Sequence, residues 1–87
     1  MNNNEFIDKV NKPYKQAWTI ILLAQKAIYS GKDEDWDRYA KEADRFCKEG
    51  IHNPFQAECG AFVYKAVDGL LKMNRGNDNE SESTGKK

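Results

Sequence analysis

Apolar side chains recur at helical spacing along most of this chain, in three blocks of unequal breadth. Mapped at ~100° per residue, residues 6–29 carry apolar groups over roughly 220° of arc, and residues 55–73 over a similar width. Residues 36–47 between them show about 120°, the stripe of an ordinary surface helix. No segment alternates with period two over strand length. The pattern predicts an all-α fold: a compact three-helix bundle, with four helices if Pro13 breaks the first. The bundle is expected to cover residues 1–74. Residues 75–87 hold no apolar side chain with which to offset their ordering entropy, and a disordered polar tail is expected there.

Start and stop signals divide the blocks. Asn3 or Asn4 is a good N-cap for the first helix, with Glu5 and Asp8 where the helix dipole favours acids. Ile7, Val10, Tyr14, Ala17, Ile21, Ala24 and Ile28 then follow at spacings of three and four, an unbroken seam. Pro13 interrupts the backbone ladder without changing the seam's phase, which predicts a kink or a closely stacked pair rather than a reversal. Ser30 and Gly31 end the helix. Asp33 is the expected cap of the second helix, whose stripe is Trp36, Tyr39, Ala40, Ala43, Phe46 and Cys47. Its other face offers the acid-before-base pairs Glu34–Arg38, Asp37–Lys41 and Asp44–Lys48. After Gly50, the run Asn53, Pro54, Gln56 supplies a cap, a proline at the first helical position and a capping-box glutamine. That third helix is expected to run to about Met73, with Cys59, Phe62, Val63, Ala66, Val67 and Leu70 as its seam.

The two broad arcs exceed what a small bundle hides. Beside the first seam lie Trp18 and Leu22, with Leu23 almost opposite it; beside the third lie Tyr64 and Leu71. These five side chains are the expected interface, because a large exposed apolar patch marks a binding site and aromatic residues anchor such sites. Gly60 and Gly69 add to this reading. Each costs ~1 kcal/mol inside a helix, and close approach by another helix would explain them.

Bulk properties narrow the partner. Eighty-seven residues make one domain, marginally stable alone. Fourteen Lys plus Arg balance fourteen Asp plus Glu, which argues against a dedicated nucleic-acid binder and gives no reason to expect an anionic membrane surface. The longest apolar run, residues 20–24, is far short of a membrane span. The polar first residues do not resemble a signal peptide, so a cytoplasmic location is expected, with Cys47 and Cys59 as reduced, buried thiols.

Candidate chemistry is thin. Asp33, Asp35 and Asp37 match three calcium-loop positions, but Arg38 stands where the loop needs glycine and Asp44 where it needs a bidentate glutamate. The cluster reads as a solvated helix start. His52, the sole histidine, precedes the Asn53 cap with no nucleophile or carboxylate at a telling spacing. Cys47, His52 and Cys59 match no common zinc spacing, and no glycine-rich phosphate loop is present. No catalytic residue, metal or cofactor is therefore expected, and no small-molecule substrate is evident.

The expected function is a non-enzymatic protein–protein interaction module, self-associating as a homodimer or docking on a larger protein. Accessory and inhibitory proteins of phage and mobile elements are commonly of this size and composition. The alternative is a dimeric DNA-binding regulator, with the second and third helices as a helix-turn-helix and Lys12, Lys15 and Lys26 on the phosphates. Its weakness is the third helix, whose polar arc of Glu58, Lys65, Asp68 and Lys72 lacks the side chains that read bases.

Overall fold

The computed structural model describes the backbone of residues 1–85 and the side chains of residues 1–75. Its regular elements are α1 (Asn3–Phe6), a π-helical turn (Ile7–Asn11), α2 (Lys12–Ser30), α3 (Asp33–Glu49), a 3-10 turn (Gly50–His52) and α4 (Pro54–Gly85). The chain is all-α, with three long helices and no strand among the described residues. The polar tail expected over residues 75–87 lies, Arg75 apart, outside the described side chains.

The first helical block begins one residue earlier than expected. Asn2 is the cap: its side-chain oxygen accepts the Glu5 amide at 2.9 Å, and the Glu5 carboxylate accepts the Asn2 amide at 3.3 Å. Pro13 neither breaks the helix nor forces a separate start. The backbone stays right-handed helical from α1 into α2, with the ladder widened by one residue just before the proline. Lys12 donates to the carbonyl of Ile7, five residues back. Pro13 has no N–H for the Lys9 carbonyl. That carbonyl instead accepts the Asn53 side-chain amide at 3.1 Å. The π turn thus ties the start of the chain to the start of α4.

α2 ends at Gly31, whose φ of +69° is the left-handed conformation glycine adopts freely, and whose N–H bonds the Ala27 carbonyl at 2.9 Å. Lys32, not Asp33, is the residue preceding α3, and its side chain makes no cap bond. Ser30 does the polar work of this turn. Its hydroxyl accepts the Lys32 amide at 3.1 Å and donates to the Asp35 carboxylate at 2.5 Å. Asp33, Glu34 and Asp35 occupy the first turn of α3, as the dipole favours. Among the described residues, Asp44–Lys48 is the one of the three expected acid–base pairs that closes, at 3.0 Å. Glu42 pairs with Arg45.

At the start of α4 the Asn53 side chain accepts the Gln56 amide at 3.1 Å, as expected of a cap. The reciprocal half of the box does not form. Gln56 is buried, and its side-chain nitrogen donates 2.9 Å to the carbonyl of Phe46 near the end of α3. That carbonyl also accepts the Gly50 backbone N–H, so the buried amide adds a second bond to it and ties α4 to the end of α3.

The core draws on all three long helices. α2 contributes Ala17, Ile20, Ile21 and Ala24, α3 contributes Tyr39, Ala43 and Phe46, and α4 contributes Cys59, Val63 and Val67. Trp36 packs against this cluster, edge-to-face with Tyr39 at 5.8 Å between ring centres. Small residues set where the helices meet. Ala24 and Ala27 are wholly inaccessible, and a Cβ on Gly60 would fall 2.8 Å from the Cys47 sulfur. Gly60 is therefore the close-approach glycine anticipated in the sequence. Gly69 is not: a Cβ there would meet nothing within 4 Å.

Candidate functional site

The buried face of α2 keeps Ala17, Ile21 and Ala24 of the expected seam and adds Ile20 and Ala27, whereas Tyr14 is 67 % exposed and Ile7 also lies open. In α4 one residue of the expected seam is turned out. Val63 is inaccessible and its neighbour Phe62, expected in the core, is 58 % exposed. Adjacent positions on a helix are ~100° apart, and the contact here covers Val63 and not Phe62. Gly60, Val63 and Val67 share the inward face, and Phe62 is turned out.

These displaced rings meet. Tyr14 and Trp18 lie one turn apart on α2; Phe55 and Phe62 lie two turns apart on α4. Between them runs a groove of about 420 Å³, floored by Ala17, Ile21 and Cys59. Glu58 is its one charged lining residue. Trp18 is 60 % exposed and Phe55 37 % exposed, so none of the four rings is spent on the core. Further along the same two helices, Gln25, Ile28 and Tyr29 face Leu70, Met73 and Asn74 across a second hollow of about 170 Å³. Tyr29 and Met73 are exposed at its edges, and Leu22 is exposed beside Tyr29 on α2. The result is one apolar face along α2 and α4, some 15 residues or ~22 Å in length.

The five residues expected as an interface do not form one surface. Trp18 lines the α2/α4 groove, whereas Leu22 stands in a shallow hollow lined by α2 residues alone. Leu23 is partly buried against the core, on the side where α3 packs, in a hollow shared with Thr19, Arg38 and Phe46. Tyr64 is exposed, but it lies beside Cys47 and Asp44 on the α3 side of α4. Leu71 is partly buried against the core. Tyr14, Phe55 and Phe62 were missed as surface residues because each falls within its helix's apolar arc. The signal that could have found them is Gly60, which fixes the inward side of α4 and leaves Phe62 outside.

The ionisable groups in and around the core point to packing. Burial raises the Cys59 thiol pKa, away from the thiolate a nucleophile needs. Burial, with lesser contributions from Tyr64 and Cys47, pushes the Tyr39 hydroxyl up to about 12. Tyr64 is raised by burial first, then by Cys47 and Asp44. His52 is exposed in the 3-10 turn. Among the described residues, no three His, Cys, Asp or Glu side chains gather where they could hold a metal ion. Of the lysines considered for nucleic acid, Lys12 is paired with Asp8 at 2.9 Å, while Lys15 and Lys26 are exposed on α2. No described helix is long and apolar enough to cross a membrane. No protein family, curated protein or solved structure matches the chain.

Proposed function

We propose that the chain is a non-enzymatic protein–protein interaction module: a three-helix bundle whose working surface is the α2/α4 face. The observation that carries this reading is the aromatic groove. Tyr14, Trp18, Phe55 and Phe62 together keep four rings in water beside a core built largely from alanine, valine and isoleucine. At about 150–250 Å² per aromatic side chain, their exposed fractions amount to roughly 330–560 Å². A patch of that size on so small a chain is the usual mark of a binding surface. Aromatic anchors grouped around a hollow are what such surfaces use.

A photo-reactive phenylalanine analogue at position 62 tests the reading in native extract. The control carries the analogue in place of Lys41, exposed on α3. Protein adducts from position 62 that are absent from position 41 are expected. Equal labelling from both positions, or none from either, would overturn it. The DNA-binding alternative gains no supporting observation, since one of its three lysines is already paired with an acid.

A further inference from the structure

We infer that the occupant of the α2/α4 face is a second copy of this chain, packed face to face about a two-fold axis. The inference rests on the reading of that face as the working surface. Its first support is width. The exposed apolar side chains are not confined to the groove: Leu22 and Tyr29 stand on the outer shoulder of α2, and Met73 extends the α4 side. A single helix, ~10 Å across, fills a groove between two helices and leaves such shoulders wet. A surface two helices wide covers them. The chain owns one such surface of matching length, the same face on another copy, and a two-fold contact uses one patch twice.

The second support is area. Weighted by their exposure, the rings of the groove together with Leu22, Tyr29 and Met73 offer roughly 800 Å². That is about what each partner contributes to a standard stable interface. The third is charge: a formal net charge of zero means that two copies do not repel as whole bodies. The fourth is Gly69. It lies on α4 seven residues after Phe62 and four before Met73, hence on the same face. Among the described residues nothing lies within 4 Å of a Cβ built there, so no contact among them accounts for a glycine in mid-helix. An approaching side chain from a second copy does.

Sedimentation equilibrium of the full chain, from low to high micromolar, tests this. Wild type is expected to approach twice the chain mass of 10.0 kDa. Trp18→Glu and Phe62→Glu are expected to weaken association at least ~30-fold, the effect of losing a central anchor. Both side chains are exposed, so circular dichroism should show the helices intact. Gly69→Leu is the independent variant: a Cβ there meets no described residue within 4 Å, so the helices should remain intact by circular dichroism while the dimer is lost. Tyr64→Ala, on the other side of α4, should dimerise normally. A monomeric wild type at every concentration overturns the inference, as does a Gly69→Leu dimer of undiminished strength. If the monomer still gives partner adducts from position 62, the interaction-module reading stands and the second copy alone is removed.

Discussion

Asn53 carries two duties with one side chain. Its oxygen caps α4, and its nitrogen supplies the Lys9 carbonyl that Pro13 leaves without a donor. Asn53→Asp keeps the acceptor and loses the donor; Asn53→Ala loses both. Urea unfolding should therefore rank wild type above Asp and Asp above Ala, with the cap worth about 1 kcal/mol of the total. Equal loss in both variants would show that the cap contributes nothing. Tyr39 makes a second prediction at this scale. An unfolded tyrosine titrates near 10, and burial holds Tyr39 protonated up to about 12. The folded state thus binds the extra proton between those values. Stability is fully present below pH 10 and falls as pH rises towards 12. Denaturation midpoints across that window should slope down in wild type and slope less in Tyr39→Phe.

At the scale of elements, the helices and most of their inward seams were legible, and the edges of the buried faces, where Tyr14 and Phe62 lie, were not. The Asn53–Pro54 start and the Ser30–Gly31 stop stand out in the sequence, because caps and left-handed glycines are local chemistry. Which part of a 220° arc turns inward is a different question. An arc that wide holds two alternative contact faces, and only the neighbouring helices choose between them. α2 chose the face bearing Ala17, Ala24 and Ala27, and α4 the face bearing Gly60. Small residues went inside, where backbones approach, and large rings such as Tyr14 and Phe62 went outside. The π turn was invisible for a similar reason: Pro13 announces a disturbed ladder, but not which distant side chain will supply the missing donor. The two glycines of α4 test this account together. Gly60→Ala puts a Cβ against the Cys47 sulfur and should rank about 1–3 kcal/mol below Gly69→Ala, which gains helix propensity at no steric cost in the monomer. Pairing Gly60→Ala with Cys47→Ala should recover part of the loss. Thermal unfolding at dilution reads both effects.

For the whole molecule, the apolar surplus read from the sequence is present as exposed rings, on side chains that overlap only in part with those expected. Of the five expected interface residues, Trp18 lines the α2/α4 groove and Leu22 is exposed on α2, while Leu23 and Leu71 pack against the core and Tyr64 looks towards α3. In α2 and α4 small residues take many of the inward positions and four rings stay at the surface; the proposed partner would cover those rings and add stability to so small a domain. The most direct test is the environment of Trp18 itself. With Trp36→Phe the chain holds one indole, and its emission and acrylamide quenching report whether that ring is covered. Trp18 is expected to be blue-shifted and protected at high micromolar concentration, passing to red-shifted, freely quenched emission on dilution. Red-shifted emission with unchanged, free quenching at every concentration would contradict it.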